Sequence, residues 1–163
     1  MKKLMTATVL LCLLLALAAC GEAEPQNANA VNPWIDCATL AEAEDLAQFD
    51  IAVPDRIEGY PNTMIQAVKD EVIQVFYYDQ EPGEGDRDVV LIRKGVGTED
   101  LSGDYTEYPE NETVAMHGVE VSLRGEDGLV YTAAWSQDGY TYSIHADSGM
   151  EKAQVEDLVE LVK

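Results

Sequence analysis

Apolar side chains recur at every second position through much of the last third of the chain. Between residues 119 and 146, three runs place an apolar residue at every second position, the period of a strand with one buried face. Their apolar positions are Val119, Val121 and Leu123, then Leu129, Tyr131, Ala133 and Trp135, then Tyr140, Tyr142, Ile144 and Ala146. The connections 125–128 and 137–139 each contain an Asp-Gly pair, which favours a tight hairpin turn. This region is therefore predicted to form an antiparallel meander with one solvated face.

The middle of the chain also alternates, but its second strand is apolar on both faces. The pattern predicts strands over 63–68, 71–78 and 88–94, with a tight turn at Lys69 and Asp70. In the strand 71–78 the apolar residues fall on both faces: Val72, Phe76 and Tyr78 on one, and Ile73, Val75 and Tyr77 on the other. Such a strand is typical of the centre of a sheet that is covered on both sides. Residues 95–112 follow as a long polar segment with little periodicity.

Apolar residues recur every three or four positions in two other segments, which predicts amphipathic helices. The first covers residues 36–49, with Thr39 and Glu42 placed to form a capping box. The second follows Ser148 and Glu151, which are placed to cap it in the same way. The apolar stripes are Leu40, Ala43, Leu46 and Ala47 in the first helix and Val155, Leu158, Val159 and Val162 in the second. Strands and helices together predict an α+β fold, an antiparallel β-sheet meander with an N-terminal and a C-terminal helix packed on it.

The N-terminus has the layout of a secretory signal. Lys2 and Lys3 precede an almost wholly apolar run over 4–16, which ends in Leu-Ala-Ala-Cys at 17–20. The run is shorter than the roughly 20 apolar residues that a helix needs to cross a bilayer. Its ending resembles a bacterial lipobox, in which the cysteine is diacylated and becomes the new N-terminus. The resemblance implies a lipoprotein signal peptide over 1–19 and a lipid anchor at Cys20, on the extracytoplasmic face of the cell membrane.

The rest of the chain divides into a tether and one domain. Residues 21–32 contain no aromatic residue and few that bury well, so that residues 20–32 are predicted to form the lipidated cysteine and a flexible tether. Residues 33–163 are long enough for a real core and are predicted to form a single α+β domain.

The charge of the chain argues against nucleic-acid binding, and its cysteine content argues against an intramolecular disulfide. The chain has a formal net charge of −21, and removal of Lys2 and Lys3 with the signal would make it −23. Such a charge repels nucleic acid and keeps a surface module monomeric. Because Cys12 leaves with the signal and Cys20 takes lipid, Cys37 has no partner for an intramolecular disulfide and is expected in the core.

The polar segment after the third central strand holds the best candidate for a functional surface. Its candidate residues are Arg93, Lys94, Asp100, Ser102, Asp104, Tyr105 and Tyr108. One interpretation is a recognition loop carried on a rigid sheet. The other is structural, with a turn at 102–104 and with Arg93 pairing with the carboxylate of Asp100 or Asp104 to hold the loop closed.

Calcium binding and hydrolysis each have candidate residues in the chain, but neither is accompanied by a recognised sequence motif. Calcium ligands could come from the carboxylates Glu81, Glu84, Asp86 and Asp88, but their spacing is not that of a calcium-binding loop, so we expect no metal site and no cofactor. A hydrolase could use His117 or His145, but no activated nucleophile accompanies either histidine.

Several segments along 32–163 resemble a family of uncharacterised lipoproteins of Gram-positive anaerobes. They are Asn-Pro-Trp at 32–34, Ile-Glu-Gly-Tyr at 57–60 and the stretch from Ile-Arg-Lys at 92–94 to Ser-Gly-Asp-Tyr at 102–105. The family carries a domain of unknown function that also occurs at the extracellular ends of some anti-sigma-factor-like proteins. The resemblance implies a location and a fold, and no catalytic residue. We therefore expect a membrane-anchored extracellular module that binds a protein or peptide at the cell envelope, with a divalent-cation or cationic-ligand binder and a hydrolase as the alternatives.

Overall fold

Eight strands and two helices follow one another in the part of the chain that the computed structural model describes, residues 32–81 and 87–163. The strands are β1 Ile35–Cys37, β2 Asn62–Val68, β3 Val72–Tyr78, β4 Val89–Val96, β5 Glu110–Met116, β6 Val119–Glu126, β7 Leu129–Gln137 and β8 Tyr140–Met150. The helices are α1 Leu40–Ala47, between β1 and β2, and α2 Lys152–Leu161, after β8. The signal peptide, Cys20, the tether, Glu84 and Asp86 lie outside the described residues.

All eight strands form one antiparallel sheet in the order β1-β2-β3-β4-β8-β7-β6-β5. The sheet consists of two four-stranded meanders, which join where β4 pairs with β8 and Ile92 lies opposite Ile144. Because β4 is central and β5 lies at the far edge, the chain must cross three strands between them. Residues 97–109 make this connection and are called the crossover segment here. The predicted α+β fold is confirmed.

Both helices pack on the same face of the sheet and enclose the apolar core. Ala43 and Ala47 of α1 and Val155 and Val159 of α2 belong to one buried cluster with residues of all eight strands. The strand residues at its centre are Ile73, Val75, Tyr77, Val90, Ile92, Val121, Leu123, Ala133, Trp135, Tyr142 and Ile144. Cys37 is buried in this cluster, as expected from the sequence. The backbones of Ala52 and Lys163 pair through two hydrogen bonds of 2.8 and 3.2 Å, which joins the segment after α1 to the end of α2.

The opposite face of the sheet has a polar centre that is also buried, and is called the polar face here. Thr132 and Ser143 are each 1 % exposed there, and Gln74 is 3 % exposed. The crossover segment covers this part of the face, as its contacts described below show. The expectation of material on both sides of β3 is therefore correct. The expectation of one solvated face on the C-terminal meander holds for Glu120 and Ser122 but not for Thr132 and Ser143, because the crossover segment covers them.

The starts of the two helices and the presence of strand β5 differ from the predictions, each for a local reason. The first helix begins at Leu40 rather than near residue 36, because Thr39 caps it by accepting a hydrogen bond from Glu42 N, and residues 35–37 pair with β2. The second helix is capped by Glu151, whose backbone N–H donates to the Gln154 side chain at 3.0 Å. Strand β5 was not predicted, because its sequence Glu-Asn-Glu-Thr-Val-Ala-Met lacks the alternation of a half-buried strand.

Candidate functional site

Arg93 fastens the crossover segment to the sheet. It lies on β4 and points to the polar face, where its Nη1 donates to the carbonyl oxygens of Leu101 at 2.7 Å and Ser102 at 2.9 Å. Its Nε donates to Gln74 Oε1 at 2.9 Å. Burial lowers the pKa of the guanidinium, but an arginine remains charged at any physiological pH. The guanidinium therefore holds the segment through uncharged oxygens, and the predicted pairing of Arg93 with Asp100 or Asp104 is wrong.

A row of polar side chains continues from Arg93 across the first meander. Gln74 Nε2 donates to Gln66 Oε1 at 2.6 Å, and Gln66 Nε2 donates to Asp36 Oδ1 at 2.7 Å. These residues are cross-strand neighbours on β4, β3, β2 and β1. The carboxylate to which Arg93 is connected is thus Asp36 at the edge of the sheet, reached through two glutamine side chains.

Asp104 is the second fastening point of the crossover segment. Its carboxylate accepts hydrogen bonds from Thr106 N at 2.9 Å, from Tyr108 Oη at 2.8 Å and from Thr132 Oγ1 at 2.9 Å. The side chain is only 8 % exposed. Burial alone would raise the pKa of Asp104, but these hydrogen bonds outweigh it and hold the pKa well below its usual range. The carboxylate is therefore charged and ties the segment to β7.

His145 lies between two carboxylates next to this point. Its Nδ1 is 3.5 Å from Asp104 Oδ2 and 3.3 Å from Thr132 Oγ1, and its Nε2 is 3.2 Å from Asp147 Oδ1. Thr132 and His145 are directly opposite each other on β7 and β8. Since the two carboxylates contact different ring nitrogens, they do not converge on one point. His145 thus connects the crossover segment to the end of β8.

Arg124 makes the contact that was predicted for Arg93. Its Nη2 is 3.4 Å from Asp100 Oδ2 and donates to Ser102 Oγ at 2.9 Å. Asp100 in turn accepts a hydrogen bond from Ser102 N at 2.8 Å, and the predicted turn at 102–104 is spanned by a 3.3 Å hydrogen bond from Asp104 N to Ser102 Oγ. The Asp100 side chain is 56 % exposed, so this ion pair lies at the surface.

Between Asp104 and Tyr108 the crossover segment exposes a short tip, residues 105–107. Tyr105 is 95 % exposed and is the most exposed of the large apolar side chains in the described residues. Tyr108, immediately after the tip, stacks on Tyr131 with ring centroids 5.2 Å apart. Beside the tip lies an open groove of about 500 Å³, lined by Asp100, Asp104, Tyr105, Thr106, Glu107, Tyr108, Asn111 and Arg124.

Lys94 does not belong to this surface, although it follows Arg93 in the sequence. Neighbouring strand residues point to opposite faces, and Lys94 lies on the helix side, 8 % exposed. Its Nζ donates to Asp50 O at 2.6 Å and lies 4.6 Å from the ring centroid of Tyr140. Of the seven residues that the sequence grouped together, Lys94 alone is on the other side of the sheet.

The metal candidates and the catalytic candidates are not assembled into a site within the described residues. There, no three His, Cys, Asp or Glu side chains converge to hold a metal ion, and Asp88 accepts a 2.6 Å hydrogen bond from Tyr60 instead. His117 lies in the turn between β5 and β6, 4.0 Å from Glu156 Oε1. The hydroxyl nearest to His145 belongs to Thr132, which is buried and donates to Asp104, so it is not presented to a substrate.

Sequence reasoning missed Gln74, Arg124, Thr132 and His145 as partners of the crossover segment. The alternation did place Arg124, Thr132 and His145 on one polar face, and their positions are adjacent across β6, β7 and β8. The alternation did not show that residues 97–109 lie over that face and contact these side chains.

Comparisons with known proteins add no family to this description. No protein-family model, no curated protein and no solved structure matches the chain. In the described residues, no helix is both long enough and apolar enough to cross a membrane.

Proposed function

We propose that this protein is a lipid-anchored binding module of the cell envelope, which recognises a protein or peptide partner through the tip of the crossover segment and catalyses no reaction. Anchoring through Cys20 is proposed from the lipobox-like ending at 17–20. Two or more acyl chains hold a protein durably at a membrane, so a diacylated cysteine is a sufficient anchor.

The observation that carries the proposal is the exposure of Tyr105 on a segment that is otherwise held firmly. Because its side chain is 95 % exposed, Tyr105 contributes almost no buried area to the stability of the fold. Aromatic side chains are enriched at protein–protein interfaces. Before Tyr105, Arg93 binds the carbonyl oxygens of Leu101 and Ser102. Asp104 binds Thr132 on β7, and it also accepts hydrogen bonds from Thr106 and Tyr108 on the other side of Tyr105. A loop that is ordered before binding loses less entropy when a partner arrives. The structural and the recognition interpretations of this segment are therefore compatible.

The charge around the tip favours a partner with basic groups. Glu107 belongs to the tip and Asp100 lies in the same groove, whereas Arg124 is the one basic residue among those that line it. Opposite charge speeds encounter and excludes acidic competitors more than it raises affinity.

Site-specific photo-crosslinking tests the recognition surface. A benzophenone-bearing phenylalanine at position 105 of the full chain, irradiated in intact cells, is expected to yield a discrete crosslinked species. The same residue at position 161 is the control, because Leu161 is also exposed, at 53 %, but lies on α2. Equal crosslinking at both positions, or none at position 105, would show that the tip is not the recognition surface.

Metabolic labelling tests the anchor independently of the partner. Cells fed a clickable fatty acid are expected to label the protein, and Cys20→Ala is expected to lose the label. Because Cys37 is buried in the core, Cys37→Ala is the matched control and should keep it. Undiminished label in Cys20→Ala would rule out this cysteine as the anchor.

A further inference from the structure

Among the described residues, strand β5 forms a long edge of the sheet with no strand beside it. The sheet ends at β1 on one side and at β5 on the other, and β1 has three residues whereas β5 has seven. The turn to β6 is formed by His117 and Gly118, both with positive φ, at 46° and 87°. In a two-residue turn of this kind, the flanking residues Met116 and Val119 form a hydrogen-bonded pair.

This register decides which backbone groups of β5 face outward. Hydrogen-bonded and non-hydrogen-bonded pairs alternate along an antiparallel ladder, so every second residue before Met116 turns its N–H and C=O towards β6. The residues between them turn theirs away from the sheet, namely Asn111, Thr113 and Ala115. All three are exposed, and no described strand lies beyond them. An unpaired row of this kind is a template for another strand.

A groove runs beside the first half of this edge on the helix side. It has a volume of about 430 Å³, with Leu123, Leu129 and Val130 among its lining residues and the side chains of Glu110 and Glu112 along β5. Glu110 accepts a hydrogen bond from Gly128 N at 3.2 Å, and Glu112 pairs with Lys152 at 2.8 Å. A strand added to β5 would direct alternate side chains to this side, next to the two carboxylates.

The negative charge of the chain favours a basic partner, rather than a second copy of the chain, as the strand that pairs with β5. A formal net charge of −21 on each copy opposes self-association, and like charges on neighbouring strands destabilise their pairing. Lys or Arg side chains on the incoming strand would instead meet Glu110 and Glu112. Main-chain bonds would supply affinity and the carboxylates would supply selectivity, as in other cases of strand addition.

We propose that β5 is a docking strand, to which an extended segment of a partner protein with Lys or Arg at alternate positions adds as a ninth strand. Its backbone pairs with Asn111, Thr113 and Ala115, and its basic side chains face Glu110 and Glu112. This rests on the proposed function only in that the module binds protein, since it uses a surface other than the tip of the crossover segment.

Peptides of defined composition test the proposal on the full chain purified in neutral detergent. The probe is a seven-residue peptide, Thr-Lys-Val-Lys-Val-Lys-Thr, with a fluorophore at one end. Its controls are the same peptide with Glu in place of Lys, and the Lys peptide with N-methyl groups on alternate backbone nitrogens. The Lys peptide is expected to bind and to slow hydrogen exchange at the amides of Asn111, Thr113 and Ala115. N-methylation is expected to weaken binding at least tenfold with all charges retained, and the Glu peptide should not bind.

Two variants of the protein test whether the Lys peptide binds at the edge of β5. Thr113→Pro removes an outward N–H and should abolish binding of the Lys peptide, since proline is tolerated at an outward-facing edge position. Glu110→Gln with Glu112→Gln should weaken binding several-fold and reduce its dependence on salt. Equal binding of the N-methylated and unmodified peptides would overturn strand addition, and so would failure of the Lys peptide to bind. A dimer of the full chain that Thr113→Pro dissociates would overturn the basic partner in favour of a second copy.

The outcomes separate this inference from the proposed function. If Thr113→Pro loses the peptide while crosslinking at position 105 persists, both surfaces are used. If peptide binding fails while crosslinking at position 105 persists, the docking strand is wrong and the proposed function stands.

Discussion

The Arg93 guanidinium lies directly against the α-carbon of Gly103. A Cβ atom at position 103 would be 2.6 Å from Arg93 Nη1, closer than real Cβ contacts come. Residue 103 also has a φ of +69°, which glycine adopts at no steric cost. The close approach is what allows Nη1 to reach the carbonyl oxygens of Leu101 and Ser102 together.

Gly103→Ala is expected to lower the free energy of unfolding by about 2–4 kcal/mol. About 1–2 kcal/mol comes from the left-handed backbone of a residue with a side chain, and the rest from displacing a guanidinium that three hydrogen bonds hold in place. Urea denaturation measures the loss. Gly128→Ala is the control, because Gly128 has a similar φ of +78° and nothing within 4 Å of an added Cβ. Equal losses for both variants would show that the contact with Arg93 carries no energy.

Arg93→Lys is expected to destabilise the protein by about 2–3 kcal/mol, in the range of hydrogen bonds made by a charged group. A lysine cannot bond Gln74, Leu101 and Ser102 at once, since it lacks the planar fork of the guanidinium. Arg124→Lys, on the same face of the sheet, should cost less than about 1 kcal/mol, because its ion pair with Asp100 is at the surface. Urea melts of both variants check the difference. An Arg93→Lys variant as stable as the wild type would mean that the crossover segment is held by other contacts.

Asp104 is expected to make stability depend on pH in the acid range. A carboxylate whose pKa is lowered by folding contributes stability that is fully present above its unfolded pKa of about 4 and is lost as the pH falls through its folded pKa. Asp104→Asn should therefore cost about 2–3 kcal/mol at pH 7, and its difference from the wild type should shrink as the pH falls below about 4. Chemical denaturation from pH 7 to pH 3 measures this. Glu107→Gln, in the exposed tip, controls for the removal of one negative charge. A difference that stays constant down to pH 3 would contradict the prediction.

Lys94 is expected to stabilise the core through its aliphatic stem. Its ammonium group lies among the rings of Phe49, Tyr140 and Tyr142, and burial lowers its pKa. Lys94→Met keeps the stem and should change the free energy of unfolding by no more than about 1 kcal/mol, because an unbranched apolar side chain fills the same space. Lys94→Ala leaves a cavity and should cost about 2–4 kcal/mol. Thermal and urea melts compare the two, and a loss in Lys94→Met as large as that in Lys94→Ala would assign the energy to the charge.

The candidate site shows where sequence reasoning reaches its limit. The alternation correctly placed Thr132 and His145 on the polar face of the meander, and the turn at 102–104 was predicted. The partner of Arg93 was not, because the choice between Asp100, Asp104 and backbone carbonyls depends on ångström-scale placement of a segment without periodicity. Strand β5 was missed for a related reason: an edge strand buries little on either face, so its sequence carries no alternation.

Local periodicity by itself determined the α+β class, the strands β2, β3, β4, β6, β7 and β8, and the two helices to within a few residues. A repeat of two or of three to four residues records which side of one element is buried, and neighbours in the sequence suffice to reveal it. Only the tertiary structure decided that β4 pairs with β8 and that the crossover segment covers the polar face of the sheet. The pairing of Ile92 with Ile144 joins residues far apart in the chain, and the pattern within each strand is the same whichever strand lies next to it.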